Sequence, residues 1–152
     1  MNVPIVMLLS GPNLSLLGRR EPDVYGTATL AEHVERAGKQ AARLGLALEH
    51  VQSESEAGLV EAVHGAKGRV AAIVVNAGAL SHYGWSLHDA LAAFPGPVVE
   101  VHLSNPLARE RWRQGSVIAP VANGYIGGFG GFGYELAVMA ASRLLGFSGE
   151  DS

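Results

Sequence analysis

Residues 3–10 read VPIVMLLS and residues 70–78 read VAAIVVNAG. Neither run alternates apolar with polar residues. A strand with one face in water shows that alternation, whereas a strand covered by helices on both faces is apolar throughout. The two runs therefore point to a parallel sheet held between helical layers.

Working outward, the segments between and after them fall into place. TLAEHVERAGKQAARLG (29–45) reads as a helix. Thr29 with Glu32 fits a capping box, Leu30, Val34, Ala37, Ala41 and Leu44 recur at helical spacing, and Gly45 can end the helix. LALEHVQS (46–53) alternates as a strand does, and SEAGLVEAVHGAKG (55–68) reads as a second helix. SLHDALAAF (86–94) is helical and GPVVEVHLSN (96–105) is a fourth strand. NPLARERWRQ (105–114) predicts a short helix, with Asn105 as cap and Pro106 in the first position. NGYIGG (123–128) predicts a fifth strand and GYELAVMAASRLLG (133–146) a closing helix. The alternation predicts an α/β three-layer sandwich with five parallel strands. Right-handed crossovers leave the flavodoxin-like order 2-1-3-4-5 as the simplest fit.

The composition narrows the function classes. A chain of 152 residues suits a single domain spanning residues 1–152, and 48% apolar against 16% charged residues argues against disorder. A net charge of −3 offers no electrostatic footprint for nucleic acid. With no cysteine there is neither a disulfide framework nor a thiolate metal site, which fits a reducing cytoplasm. The start, MNVPIVMLLSGPN, lacks a basic leader, so no secretory signal is expected. The uncharged span 116–134 holds six glycines, a proline and an asparagine, too little apolar side chain for a bilayer helix, so no membrane partner is expected.

In a sheet of this order ligands bind beyond the carboxyl ends of the strands, near the switch between strands 1 and 3. Polar residues gather at those ends: Ser10 to Asn13, then Asn76 with Ser81, His82 and Tyr83, then Glu100 to Asn105. One turn asparagine means little. Three strand ends converging on one crevice point to a ligand site. His102, at the end of VVEVHLS, can give or take a proton near neutrality. Glu100 shares its face of the strand and either orients the imidazole or satisfies a buried polar group.

Residues 11–26, GPNLSLLGRREPDVYG, have neither helical nor strand periodicity. Arg19, Arg20 and Tyr25 share this segment between Gly18 and Gly26, so it reads either as a hinged lid or as a solvated surface loop. A tyrosine is a weak base at neutral pH, and a nearby guanidinium favours its phenolate.

Other motifs fail on context. GFGGFG (128–133) matches a dinucleotide fingerprint, but about twenty residues remain after it, too few for the ribose-binding acid. The six histidines show no metal spacing, and G-x-S-x-G is absent. Lys39 and Lys67 lie on a polar helix face and in a turn, poor settings for an imine.

Three blocks carry a resemblance: residues 11–26, NAGALSHYGWSLHDAL (76–91) and EVHLSNPLARERWR (100–113). Together they resemble the signatures of type II 3-dehydroquinate dehydratase, in order and over nearly the whole chain. The resemblance implies a flavodoxin-like fold and dehydration of 3-dehydroquinate to 3-dehydroshikimate through an enolate, with no metal, cofactor or Schiff base. By that resemblance Tyr25 is the base at C2 and Arg20 the lid arginine that keeps it partly ionised. Asn13 stabilises the enolate through a water, His102 is the acid on the C1 hydroxyl, and Glu100 partners the histidine. Asn76, His82 and Arg113 bind substrate hydroxyls, and the amides of Leu103 and Ser104 bind the carboxylate. Asp89 reaches the site from a neighbouring subunit, in a homo-oligomer expected to be a dodecamer built of trimers. Ser15 and the pair Gln114 and Gly115 depart from the family's usual residues. A flavodoxin-like binding module that holds a flavin or small anion is the competing reading, and the arginines and tyrosine of residues 11–26 weigh against it.

Overall fold

The computed structural model describes residues 2–19 and 21–147. Five strands form where the apolar and alternating runs predict them: β1 (Ile5–Ser10), β2 (Ala47–Gln52), β3 (Ala72–Asn76), β4 (Val98–His102) and β5 (Gly124–Gly127). All pair in parallel in the order β2-β1-β3-β4-β5, the flavodoxin-like order expected. The helices are α1 (Pro22–Tyr25), α2 (Leu30–Arg43), α3 (Glu56–Ala66), α4 (Trp85–Ala93) and α5 (Phe132–Leu144). Helices α2 and α5 pack together on one face of the sheet, and α3 and α4 on the other.

The strand period of two divides the core. Val6 and Leu8 face Ala37, Ala41 and Val138 of the α2/α5 layer, while Met7 and Leu9 face Leu59, Val63, Leu87 and Leu91 of the α3/α4 layer. Every strand side chain from Val6 to Leu9 is fully buried. Each such Val, Leu or Met contributes about 1.5–3 kcal/mol through the water it no longer meets. Local signals start the helices: Thr29 Oγ1 accepts the Glu32 N–H at 3.2 Å and donates to the Glu32 carboxylate at 3.3 Å, and Ser55 Oγ accepts the Gly58 N–H at 3.1 Å.

Two connections bring the strand ends together. A side chain at Gly11 would put its Cβ 2.4 Å from the Ala77 carbonyl oxygen, so only glycine lets the chains leaving β1 and β3 pass each other there. Residues 105–114 form two short 3-10 turns, Pro106–Ala108 and Arg111–Arg113, in place of the single helix the sequence predicts. Arg109 between them takes an extended backbone (φ −106°, ψ −165°), which breaks the helical ladder. Asn105 caps the first turn as expected, accepting from the Leu107 N–H at 3.2 Å. Among the described residues no helix is long and apolar enough to cross a membrane.

One core residue is polar without compensation. His33 of α2 is buried, and neither ring nitrogen finds a hydrogen-bond partner among the described residues. Its ring lies 5.8 Å from that of Tyr134 in α5. Burial, aided by the Arg36 charge, holds the imidazole below its ordinary value of 6.5. In the window just below pH 6.5 the unfolded chain therefore binds a proton that the folded chain refuses. Stability is fully present above that window and falls as the pH drops through it. His33→Leu removes the unpaired nitrogens and the titration. Thermal melts are expected to show it more stable by on the order of 1 kcal/mol at neutral pH. Its melting temperature should also fall less than the parent's between neutrality and pH 5.

Candidate active site

A cleft of about 660 Å³, partly open to solvent, lies beyond the carboxyl ends of β1, β3 and β4. It is built from the strand ends inward. Asn13 follows β1 in a left-handed conformation (φ 67°) and lines the cleft. Asparagine tolerates that conformation better than most residues. Asn76 ends β3 and is 3% exposed. Its Oδ1 accepts the Gly78 N–H at 3.2 Å and its Nδ2 donates to the Tyr134 hydroxyl at 2.9 Å, which fixes the amide's orientation with a second Nδ2 proton to spare. Burial pushes the Tyr134 phenol well above its usual range, so it stays protonated.

His82 follows β3. Its Nδ1 donates to the Gly115 carbonyl at 2.7 Å, because a carbonyl can only accept. In the neutral ring Nε2 is then an acceptor. His102 ends β4, and its Nε2 lies 2.6 Å from Oε2 of Glu100. Glu100 is 1% exposed, does not itself line the cleft, and receives the Ser116 hydroxyl at 2.8 Å on each oxygen. An ionised carboxylate accepts only, so Nε2 donates and Nδ1 is the nitrogen left unengaged by Glu100. The Tyr125 ring packs 5.6 Å from the imidazole; burial and the Glu100 charge push its phenol up to about 12.

The cleft also carries cations. Tyr25 ends α1 and is half-buried against the α2/α5 core layer. Arg109 Nη1 donates to its hydroxyl at 2.6 Å, with the guanidinium 5.3 Å from the ring centre. Arg113 lines the cleft, pairs with Glu110 and stacks 4.0 Å over Trp112. Two guanidinium groups in one cleft favour an anionic ligand. Leu103 and Ser104 complete the lining beyond β4.

A family model described as Dehydroquinase class II matches residues 4–142. The chain belongs to the class II dehydroquinase family. A relative named 3-dehydroquinate dehydratase from Desulforudis audaxviator is 54% identical over 140 residues, which are 92% of this chain and 93% of that one. One of the same name from Bacillus licheniformis is 51% identical over 136 residues, 90% of this chain and 94% of that one. The solved structure of the type II dehydroquinase from Propionibacterium acnes superposes with a TM-score of 0.88 at 40% identity, covering 94% of this chain and 98% of that one.

Of the residues assigned through the resemblance to class II dehydroquinases, eight line the cleft: Asn13, Tyr25, Asn76, His82, His102, Leu103, Ser104 and Arg113. Glu100 stands directly behind His102. Arg20 lies outside the described residues. Asp89 projects from α4 with its side chain 86% exposed and does not line its own chain's cleft. Arg109 is the residue that sequence reasoning missed. The one signal in the sequence is its spacing of four from Arg113, which would put both on one side of the single helix expected over 105–114; in the structure Arg109 lines the cleft from the extended position between two 3-10 turns. Gly18 and Gly26, the expected hinges of this class II dehydroquinase loop, have φ of 89° and 80°.

The first turn of that loop is clamped from β2's end. The Glu54 carboxylate accepts from Asn13 N–H at 2.9 Å, Ser15 Oγ at 2.8 Å and Gln52 Nε2 at 2.7 Å. These donors hold its carboxyl below the usual 4.5. The clamp is thus complete above pH 4.5 and is lost as the pH falls through the lower folded value. Glu54→Ala is expected to leave the fold intact but raise the Asn13 amide exchange rate several-fold at neutral pH, measured by hydrogen exchange. The parent should approach that rate only in acid.

Proposed function

We propose that the chain dehydrates 3-dehydroquinate to 3-dehydroshikimate in two proton transfers, with an enolate between them and neither a metal nor an imine. The observation that carries this reading is the 2.6 Å contact from Arg109 to the Tyr25 hydroxyl in the same cleft as the His102–Glu100 pair. A proton beside a ketone leaves as the electrons move onto the carbonyl oxygen. The site must therefore offer a base, donors for that oxygen, and an acid for the departing hydroxyl.

Tyr25 as phenolate takes the C2 proton. A guanidinium donating to the phenol oxygen holds the negative charge there beforehand. Arg109 has the geometry for this, and Arg20, the arginine expected from the resemblance, would add to it from the lid. Asn13 stabilises the enolate oxygen through a bound water. His102 in its doubly protonated form then gives its Nδ1 proton to the C1 hydroxyl. The C1–O bond breaks, water leaves, and the enolate electrons form the C1–C2 double bond of the enone. Glu100, ionised beside Nε2, holds the imidazolium before that transfer. Asn76 and His82 receive substrate hydroxyls, while Arg113 and the amides of Leu103 and Ser104 receive the polar and anionic end. The exposed Asp89 is free to meet a neighbouring copy, in keeping with a dodecamer of trimers acting in the shikimate pathway or quinate breakdown. Neither Lys39 nor Lys67 lines the cleft, which supports an imine-free route.

Ultraviolet absorbance of the conjugated enone tests the reading. Turnover is expected with 3-dehydroquinate, undiminished by a chelator or by borohydride. Tyr25→Phe should lower kcat by about a hundredfold or more with the fold intact by circular dichroism. Full activity in Tyr25→Phe would remove Tyr25 as the base, and loss of turnover with borohydride would replace the enolate route with an imine.

A further inference from the structure

We propose that Ser116 is a positioning residue for the proton-donating step, acting on His102 through Glu100. The inference rests on His102 serving as the acid in the reading above. It begins with the hydroxyl's own bonds. Ser116 Oγ accepts the N–H of Ile118 at 3.1 Å and of Ala119 at 3.0 Å, which occupies both lone pairs. Among the described residues its proton has one acceptor, the Glu100 carboxylate, whose two oxygens each lie 2.8 Å away. The direction of the bond is therefore forced: serine donates, carboxylate accepts.

Glu100 needs that donor. At 1% exposure it has no access to bulk water, and a buried carboxylate is tolerated only when its oxygens are hydrogen-bonded. Apart from His102, the Ser116 hydroxyl is its hydrogen-bond donor among the described residues. With one oxygen facing His102 and the pair tethered by Ser116, the carboxylate cannot rotate about its terminal torsion. The imidazole plane is set in turn. Without the hydroxyl, the carboxylate loses the tether that sets its plane, and that loosens the imidazole that must hand its proton to the leaving hydroxyl.

The neighbours of Ser116 extend the device. The Gly115 carbonyl fixes the His82 ring through Nδ1 at 2.7 Å. The Val117 N–H donates to the Ser81 carbonyl at 2.7 Å, and the Val117 carbonyl receives His88 Nδ1 at 2.6 Å. Residues 115–117 thus act as a strap across the loop after β3 and the end of β4. The backbone atoms of the strap tie down His82, which no side-chain change there removes; the one side chain that acts is the serine.

The test compares wild type, Ser116→Ala and Ser116→Thr, with His102→Ala as reference. Each is assayed for enone formation and, in deuterium oxide, for deuterium at C2 of the recovered 3-dehydroquinate. An enolate that cannot expel its hydroxyl returns to substrate and brings a solvent deuteron with it. Ser116→Ala is expected to lose about ten- to a hundredfold in kcat with KM within about twofold. The ratio of C2 exchange to product should rise at least severalfold. Ser116→Thr keeps the hydroxyl and should recover most of kcat and the parent ratio. Thermal melts establish that each variant is folded; if Ser116→Ala is not, Ser116→Cys, a weaker donor of similar size, is expected to show the same rise in smaller measure. An unchanged kcat in a folded Ser116→Ala overturns the proposal, and so does a fall in kcat without a rise in exchange, which marks general damage to the cleft. If His102→Ala itself shows no rise in exchange, the acid reading fails first and the proposal with it. A rise in His102→Ala that Ser116→Ala does not share leaves His102 as the acid and removes only Ser116.

Discussion

A carboxylate sealed inside a protein must be met by donors, and Glu100 sets that demand at the centre of this chain. It sits in β4, whose residues are all buried, paired with Val75 of β3 and Tyr125 of β5. Two side chains answer it, His102 from its own strand and Ser116 from a segment sixteen residues on. The burial that makes the charge costly also makes the geometry rigid, because in an interior without water a carboxylate has few orientations that satisfy it. The imidazole at the cleft inherits that rigidity.

The tyrosine side of the cleft is held differently. Tyr25 ends a four-residue helix between two glycines at positive φ, and it accepts a hydrogen bond from Arg109, 84 residues away in sequence. Glu54 pins the beginning of the same segment while α1 at its far end rests on Arg109 and the α2/α5 layer. In the proposed reaction, a tethered imidazole and a glycine-flanked tyrosine segment lining one cleft suit chemistry that must admit a polar ring and then exclude water.

Much of this was legible in the sequence. The unbroken apolar runs at β1 and β3 declare a doubly covered sheet, and the helical periods between them leave few topologies. The polar residues at the strand ends converge because parallel strands deliver all their carboxyl ends to one edge. Arg109 was harder to find. Three arginines alternate through residues 109–113, and which of them enters the cleft depends on a break in the helix that only the extended backbone at Arg109 creates. Ser116 opens an uncharged, glycine-rich span that resembles a plain buried connection. Its importance lies in a partner sixteen residues earlier, and no local pattern reveals a contact of that kind. His33 was equally hidden, since its place in the helical period is that of an ordinary core residue.

The alternation of the strands has one more consequence. Tyr25 leans on the hydrophobic layer beneath α2 and α5, whereas Glu100, Val117 and Ile118 belong to the layer beneath α3 and α4. The sheet stands between them as a partition. Drift in the packing of one layer alters the support of Tyr25 or of Glu100 and leaves the other on its original foundation. Under the proposed reaction, the base and the partner of the acid can therefore be retuned separately over evolutionary time, each by ordinary substitutions in its own stratum of the interior.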